Sequence, residues 1–397
     1  MRRWVALLVA LVMLFSLTAC NREDGEIDKK TVSLKVWGAQ EDQEMLRKMT
    51  ESFKKMHPET EFNITFGVVG EKDTQIKIME DPSAAADVFA FPDDQLRNLE
   101  NAGVLYEITL NKDRLMQDNA EGAVKAAMIG DKLYAYPMTA DNGYFLYYDK
   151  SVLSADDVKT LDGLMNAAEA KGKKVLMDVS NGWYVASFFL SAGGTLGVKN
   201  GKQTCDFNNE KGVAAGEAVK AFCGHSAFLT GEDPILTGGI GSTIAAGISG
   251  TWTAEAIQKK LGDRYAATKL PTVTIDGKQV QMKSFAGYKL MGVNSATKHP
   301  KEAMQLAEFL TNEENQLLRF KTRAMGPANK KAAANEAVKA NVALAALAMQ
   351  NEFGVSQGEV FSTTWQPLEA FGTAMETKDT SKTVKQYLDA MVAQITK

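Results

Sequence analysis

The sequence predicts an α/β protein that folds as two lobes. Strand-like and helix-like patterns alternate from Val32 to Gly103, and a second alternation runs from Ser154 to Met282. Between them, Lys132–Lys150 holds five of the ten tyrosines in two aromatic runs around the polar break TADNG. About 375 residues follow an N-terminal leader, which is more than one hydrophobic core usually supports.

The N-terminus has the features of a secretory leader. Two arginines precede a twelve-residue apolar run, which is shorter than the roughly 20 residues of a membrane-spanning helix. The following Leu-Thr-Ala-Cys resembles the lipobox of bacterial lipoproteins, which implies that Cys20 is the first mature residue and carries lipid chains. The alternative is a plain leader with an incidental cysteine. We expect residues 1–19 to be a signal peptide and residues 20–31 a polar tether.

Charge and composition argue against several classes of function. Without the two leader arginines, 43 Lys and Arg face 49 Asp and Glu, and such an acidic chain lacks the clustered cations that bind nucleic acid. His57, His225 and His299 form no cluster with cysteines at metal-ligand spacing. The glycine-rich run TGGIGSTIAAGISG lacks the Gly-Lys-Ser/Thr of a phosphate loop. We therefore expect neither a metal site nor a cofactor.

Two cysteines remain beyond Cys20. Cys205 and Cys223 are eighteen residues apart, and a disulfide closing that loop would contribute about 3 kcal/mol on the chain-entropy account. An extracytoplasmic setting permits such a bond. The alternative is a pair of buried thiols, and neither state implies a function.

The first lobe begins with a strand, VSLKVW, followed by a helix that Pro58 ends. FNITFGVV and ADVFAF predict two further strands, with a polar helix over Glu71–Glu80 between them. This order predicts a parallel sheet, whose ligands lie outside the carboxyl ends of the strands. Trp37, Phe91 and the pair Asp93-Asp94 lie at such ends.

The tyrosine-rich segment Lys132–Lys150 admits two interpretations. It is either a hairpin with Asn142-Gly143 as its turn, or a crossing between lobes that exposes Asp141 and Asn142. Because separate α/β units flank it, the crossing is favoured, with Asp141 on the ligand side of the hinge.

The second lobe starts with a helix that Ser154 caps, and it continues as alternating strands and helices to a hairpin with Asp276-Gly277 at its turn. The remaining residues form one strand and several helices, too few strands for a third unit. They are expected to cover both lobes, so the chain crosses more than once. The predicted division is residues 32–139 with about 284–330, and residues 140–283 with about 331–397.

Four tryptophans follow the leader, and all lie at the ends of predicted elements: Trp37, Trp183, Trp252 and Trp365. A single tryptophan is more often a core residue than a ligand platform. Four at element ends favour a binding role, since flat aromatic faces suit the apolar faces of sugar rings.

The acidic and amide groups admit several roles. Asp93, Asp94, Asp141 and Asn142 can bind sugar hydroxyls, but an Asp pair that opens a helix can also be its N-cap. Asp94 and Asp141 also keep a glycoside hydrolase in consideration, since that chemistry uses two carboxyl groups across the scissile bond.

Taken in order, these blocks resemble the extracellular solute-binding proteins of bacterial ABC sugar importers, most closely the maltose/maltodextrin-binding proteins. The blocks are VSLKVWG, ADVFAFPDDQLRNLENAGVL, YAYPMTADNGYFLYYDKSVL, GISGTWTAEAIQKKLG, KLPTVTIDGKQVQMKSFAGYKLMGVNS and FSTTWQP. The resemblance implies a two-lobed periplasmic-binding-protein-like fold that closes on its ligand across a hinge of two or three crossings. It implies ligand-binding roles for Trp37, Gln40, Glu41, Phe91, Asp94, Asp141, Trp183, Tyr184, Trp252 and Trp365.

Some positions depart from the family pattern. Gln95 and Glu369 stand where the well-known maltose binders have arginines, and Asn181 stands near an expected acid. The resemblance implies a monomeric, membrane-anchored receptor, not an enzyme, that delivers maltodextrin to a permease. The preferred sugar is left open by these departures. A receptor for another oligosaccharide, a secreted glycoside hydrolase and an adhesion lipoprotein remain alternatives.

Overall fold

The computed structural model describes residues 29–397. The predicted leader, most of the tether and Cys20 therefore lie outside the described residues. The first α/β unit contains β1 (Lys30–Gly38), α1 (Gln43–Met56), β2 (Thr60–Val68), α2 (Thr74–Glu80), β3 (Val88–Pro92), α3 (Leu96–Asn101), α4 (Lys112–Asp118), α5 (Glu121–Ala126), β4 (Met128–Ile129), β5 (Lys132–Leu133) and β6 (Ala135–Gly143).

The second unit continues with β7 (Phe145–Asp149), α6 (Leu161–Ala170), β8 (Lys174–Leu176), α7 (Gly182–Ser191), β9 (Leu196–Lys199), β10 (Lys202–Cys205), α8 (Glu210–Gly224), β11 (Phe228–Leu229), α9 (Asp233–Gly239), β12 (Ile244–Ser249), α10 (Ala254–Leu261), β13 (Tyr265–Thr268), β14 (Thr272–Ile275) and β15 (Lys278–Gln281). The last segment contains β16 (Ser284–Val293), α11 (Pro300–Leu310), α12 (Glu313–Arg323), α13 (Lys330–Ala333), α14 (Glu336–Lys339), α15 (Val342–Asn351), β17 (Gly354–Ser356), α16 (Trp365–Glu376) and α17 (Val384–Ile395).

The first lobe is built on a sheet of order β17-β16-β3-β1-β2, with β6 also paired to β16. β1, β2 and β3 are parallel, as their alternation with helices predicts. Alternate residues of β1 are buried, and they pack against the apolar face of α1, which includes Met45, Met49 and Phe53. The carboxyl ends of these three strands therefore point to one edge of the lobe.

The second lobe is built on a sheet of order β11-β8-β12-β7-β13. Its largest core joins α6, α7 and α8 to the C-terminal helices α16 and α17. A smaller apolar cluster joins β7 to α10 and α15. The last helices of the chain thus belong with the second sheet.

Tyr144 is the single residue between β6 of the first sheet and β7 of the second. β6 pairs with β16, whereas β7 pairs with β12 and β13, so the two strands do not form a hairpin. The predicted lobe crossing is confirmed. The chain crosses again just before β16, returns toward the second lobe after α12, and pairs β17 with β16 before α16.

One predicted boundary is wrong. The helix expected from Ser154 begins at Leu161, because Thr160 accepts a hydrogen bond from the backbone N–H of Gly163 and acts as the N-cap. Ser154 instead bonds the carboxylate of Asp157. Over residues 29–397, no helix combines the length and apolarity that crossing a membrane requires.

Candidate functional site

Asp93 and Asp94 occupy a short turn directly after β3, at the carboxyl edge of the first sheet. Asp93 is buried, and its Oδ1 accepts a 2.6 Å hydrogen bond from Nε2 of Gln357. Oδ2 of Asp94 accepts a 3.0 Å bond from the indole Nε1 of Trp365. Neither side chain caps the helix that follows. The capping interpretation of this pair is therefore wrong, and both carboxylates face groups that come from later in the chain.

Gln357 connects the two lobes through both ends of its amide. Its Oε1 accepts a 2.8 Å bond from Nε1 of Trp183, at the start of α7, while Nε2 contacts Asp93. The side chain is buried. Gly287 permits this approach, since a Cβ there would lie 2.6 Å from both Asp93 Oδ1 and the Gln357 amide carbon. Because Gln357 directly follows β17, the pairing of this strand determines where the Gln357 side chain lies between Asp93 and Trp183.

Burial perturbs both carboxyl groups. Removal from water, reinforced by the neighbouring Asp94 carboxylate, raises the pKa of Asp93 to about 8. Burial also raises the pKa of Asp94 to about 7, although the hydrogen bond from Trp365 opposes the shift. With the lobes in contact, each of the two carboxyl groups therefore keeps its proton to a higher pH than a solvent-exposed aspartic acid does.

Aromatic rings of the second lobe meet at the start of α7. The ring of Trp183 lies 4.5 Å from that of Tyr144 and 5.3 Å from that of Tyr184 between centroids. The side chain of Asn181 caps the helix by accepting from the backbone N–H of Trp183, which fixes the first turn. The Trp183 ring is only partly buried, while Tyr184 and Tyr144 belong to the core.

Trp252 lies in the turn after β12, and its ring centroid is 6.1 Å from that of Trp183. Its Nε1 donates to Oδ2 of Asp233 at 2.8 Å, while Ser249 donates to the other carboxylate oxygen of Asp233. The ring folds back over Gly250, where a Cβ would lie 2.1 Å from it. From the first lobe, the ammonium of Lys289 lies 5.5 Å from the Trp252 ring centroid.

The structure therefore brings together Trp183, Tyr184, Trp252, Trp365, Asp93 and Asp94 across the junction of the lobes. Flat aromatic faces, indole N–H donors and carboxylate acceptors are the groups that recognise hydroxylated rings. In this arrangement Asp94 bonds Trp365 directly, and Asp93 is connected to Trp183 through Gln357, so a ligand between the lobes would exchange these hydrogen bonds for its own.

Asp141 and Asn142 are placed differently from the prediction that the crossing exposes them. Both are buried at the end of β6. Oδ2 of Asp141 accepts from Thr251 Oγ1 at 2.7 Å and from the backbone N–H of Gly326 at 2.6 Å. Asp141 thus links the first crossing to the later return of the chain and to the turn that carries Trp252. Asn142 pairs in register with Gly287 of β16.

The expectation that Phe91 stacks on a ligand is wrong in this structure. Its side chain has no exposed area, and its ring lies 5.7 Å from that of Phe89 in the core of the first lobe. Every residue of β3 before Pro92 is buried, because this strand lies inside the sheet and is covered on both faces. Asp93, in the turn after β3, lies at the junction of the lobes, whereas Phe91 lies within the strand and belongs to the core.

Trp37 packs against the core of the first lobe, and Gln40 and Glu41 follow it in the turn after β1. Trp37 pairs in register with Gly67 of β2, and its ring occupies the space where a Cβ of Gly67 would lie. Gln40 and Glu41 are exposed in the turn after β1. The buried acid of this turn is Asp42, which pairs with arginines of α12.

Cys205 and Cys223 are free thiols in this structure, in contrast to the disulfide that the sequence allowed. Cys205 ends β10, whereas Cys223 is buried in the last turn of α8. Burial raises the pKa of both thiols to about 12, so neither is a reactive thiolate at neutral pH. Within residues 29–397, no group of three or more potential metal ligands is assembled.

Sequence reasoning missed three residues of the junction. Gln357 lies in a short polar stretch without periodicity, and Asp233 precedes a proline at a helix start, where an N-terminal acid is commonplace. Lys289 interrupts the apolar strand β16, and this was the available signal: a buried lysine in a strand requires a nearby partner.

Comparison with known proteins agrees with this architecture. A family model for the bacterial extracellular solute-binding protein matches residues 48–346. The galactooligosaccharide-binding protein of Bacillus subtilis (strain 168) is 27% identical over 424 residues, which cover 97% of this chain and 94% of that protein.

Solved structures give the same result. One solved with acarbose superposes with a TM-score of 0.84 at 30% identity, covering 92% of this chain and 99% of the other. The maltodextrin binding protein MalE1 from L. casei BL23, solved without ligand, superposes with a TM-score of 0.77 at 27% identity, with the same coverage of 92% and 99%. With the family model matching most of its length, this chain belongs to the bacterial extracellular solute-binding proteins.

Proposed function

We propose that this protein is the substrate-binding component of an ABC importer and captures an oligosaccharide between its two lobes. The observation that carries the proposal is the meeting of three partly buried tryptophans with the carboxylates of Asp93 and Asp94 at the lobe junction. Stacking on the indoles supplies affinity, and hydrogen bonds to ring hydroxyls supply orientation. Closure of the lobes separates the bound from the free state.

The ligand we favour is a maltodextrin, that is, an α-glucan oligosaccharide. The maltodextrin-binding and acarbose-containing structural relatives support this choice. A galactooligosaccharide is the second candidate, supported by the Bacillus subtilis relative, which aligns over nearly the whole chain. Gln95 and Glu369, where well-known maltose binders have arginines, make the comparison of the two sugars worthwhile.

We further propose that the protein is not an enzyme. The hydrolase alternative requires one carboxyl group as acid and another as nucleophile or base across a substrate bond. Asp141 is unsuited to either role, since its Oδ2 accepts bonds from Thr251 and Gly326. The relatives are solute-binding proteins rather than hydrolases, which also supports a receptor.

The remaining parts of the proposal concern location and assembly. The family is extracellular, and we propose that lipid chains on Cys20 hold a monomer at the outer face of the cell membrane, where it delivers sugar to permease subunits. We propose the lobe division given by the sequence, 32–139 with about 284–330 and 140–283 with about 331–397. This division places the end of β6 and all of β17 in the second lobe, whereas both strands pair with β16 of the first sheet.

Titration calorimetry with maltotriose and with a β-linked galactotriose tests the function. We expect the wild-type protein to bind one of them, and Trp252→Ala to weaken binding by at least about thirtyfold, the effect of removing about 2 kcal/mol of buried aromatic contact. Tyr387→Ala is the matched control, because it removes an aromatic ring from the second lobe on the outer helix α17.

Two results would count against the proposal. Wild-type affinity in Trp252→Ala would show that the site is elsewhere. Recovery of shortened sugar after incubation would favour the hydrolase, because a receptor returns its ligand intact.

A further inference from the structure

A group of polar residues lies in the first lobe beside Trp252 and next to the Asp93-Asp94 turn, since Lys289 pairs in register with Pro92. Lys289 of β16 and Thr139 of β6 are register partners. The ammonium of Lys289 lies 3.6 Å from Oε1 of Glu71, in the turn after β2. Arg319 of α12 completes the group, which we call the Glu71–Arg319 cluster.

Arg319 is held over this part of the sheet by its own helix. Gln316, one turn earlier, donates a 3.2 Å hydrogen bond to the carbonyl of Pro137, two residues before Thr139 on β6. Nη1 of Arg319 bonds Asp42, which also accepts from Arg323. Burial alone would raise the pKa of Glu71, but the charges of Lys289 and Arg319 hold it below its usual value. The Glu71 carboxylate is therefore within the electrostatic reach of both cations.

The Glu71–Arg319 cluster contains polar atoms that no hydrogen bond within the described residues satisfies. Oε1 of Glu71, Oγ1 of Thr139, and Nε and Nη2 of Arg319 have no hydrogen-bond partner within residues 29–397. Thr139 is 1% exposed and Arg319 2%. An unsatisfied buried polar group costs roughly 1 to 3 kcal/mol, so four such atoms in one place are unexpected in a region that only supports the fold.

Residues Thr251–Glu255 of the second lobe cover this region. Trp252 lies over Lys289, Thr251 bonds Asp141, and Glu255 pairs with Arg323 at 3.8 Å. All three contacts join the lobes. Separation of the lobes would uncover the Glu71–Arg319 cluster, and a ring stacked on Trp252 would lie next to it.

The chemistry of these atoms selects a ligand group. Arg319 and Lys289 only donate hydrogen bonds, the Glu71 carboxylate only accepts, and the Thr139 hydroxyl does both. A hydroxyl can donate to a carboxylate while accepting from a guanidinium, so neighbouring hydroxyls of one ring could satisfy all four atoms. An acidic group would be repelled by Glu71, and the charge of Asp42 already offsets part of the arginine charge.

We propose that Glu71, Thr139, Lys289 and Arg319 form a subsite for one neutral sugar ring stacked on Trp252, with neighbouring hydroxyls bridging the Glu71 carboxylate and the Arg319 guanidinium. The proposal rests on the oligosaccharide-binding function proposed above, and it adds a specific set of residues that selects a ring carrying vicinal hydroxyls.

Thr139→Val and Glu71→Gln test the subsite by calorimetry with maltotriose and β-linked galactotriose, together with melting temperatures of the unliganded proteins. Thr139→Val is nearly isosteric and should weaken binding of the sugar that the wild type binds by about two- to tenfold, the usual effect of a neutral hydrogen bond. Glu71→Gln should weaken it by about ten- to 150-fold, since a charged acceptor is lost. The melting temperature of unliganded Thr139→Val should stay level or rise, because an unsatisfied hydroxyl is removed.

Ser284→Ala is the matched control, since its hydroxyl is also buried and unpartnered among the described residues but lies at the start of β16, five residues before Lys289. It should leave affinity unchanged. Affinities within twofold of wild type for both test variants would overturn the subsite while leaving the receptor function intact. Tighter binding of an oligogalacturonate than of either neutral sugar would overturn the ligand class. Failure of the wild-type protein to bind either neutral sugar would overturn the receptor function and the subsite together.

Discussion

Contact between the lobes should depend on pH through Asp93. In this structure its carboxyl group is buried against Gln357 and Asp94, and its pKa is raised to about 8. When the lobes separate, water reaches the group and its pKa falls toward the ordinary value of about 4. Closing then takes up a proton wherever the pH lies between these two values.

The magnitude follows from proton linkage. A group that is protonated in the closed form and ionised in the open form shifts the equilibrium between the open and closed forms about tenfold per pH unit, or about 1.4 kcal/mol. The sign is fixed by the raised pKa: acid favours the closed form, and the advantage disappears as the pH rises through about 8. Asp94, whose pKa is raised to about 7, contributes in the same direction.

Small-angle X-ray scattering of the unliganded protein at pH 5.5, 7.0 and 8.5 measures the effect as a radius of gyration that increases with pH. Asp93→Asn keeps an oxygen that can accept from Gln357 but does not titrate, so its radius should change less with pH. A wild-type protein that becomes more compact at pH 8.5, or an Asp93→Asn variant with the wild-type pH dependence, would refute this reasoning.

Three further predictions concern the junction and the cores. Gln357→Leu removes the two hydrogen bonds through which this side chain connects Asp93 to Trp183, so the unliganded protein should be more open by scattering. Gln350→Leu, which loses bonds within the second lobe, should lower the melting temperature without opening the protein; equal radii of gyration for the two variants would contradict this. Phe91→Ala should lower the free energy of unfolding, measured by urea denaturation, by about 3 to 5 kcal/mol, and it should leave the sugar affinity of the folded protein near wild type. A loss of affinity at unchanged stability would instead show that Phe91 contacts the ligand. Gly372→Ala places a Cβ 1.9 Å from the carbonyl oxygen of Val179 and should lower the free energy of unfolding by at least about 1 to 3 kcal/mol. Gly224→Ala, where a Cβ meets nothing within 4 Å, should leave the stability unchanged. Similar urea midpoints for the two variants would refute the packing argument.

The fold could be predicted from the sequence because its signals are local. Alternation of period 2 and 3.6 identifies most strands and helices, and the change of sheet at Tyr144 follows from the presence of an α/β unit on each side. Helix starts were less certain. Thr160 and Ser154 are both acceptable caps by composition, and only tertiary packing selects Thr160.

The site could be predicted only in part. Trp183, Trp252 and Trp365 follow from their positions at element ends, where side chains reach the edge of a lobe. Whether a side chain at the end of a strand reaches that edge or the core depends on how deeply the strand lies in the sheet, and the sequence does not show this. Phe91 was therefore assigned to the site although it belongs to the core.

The contacts between the lobes were beyond sequence reasoning. Gln357 lies 264 positions from Asp93, and its role depends on the pairing of β17 with β16, a contact that no local pattern encodes. The Glu71–Arg319 cluster has the same origin, because its members come from four separate parts of the chain.

The crystal structure of a complex with maltotriose would test the central claim most directly. We predict that the sugar rings lie between the lobes against Trp183, Trp252 and Trp365, with hydroxyls within hydrogen-bonding distance of Asp93 or Asp94, and that the direct bond between Asp94 and Trp365 is replaced by bonds to the ligand. Sugar bound away from these residues, for example on Trp37, with the contacts between the lobes unchanged, would contradict the account.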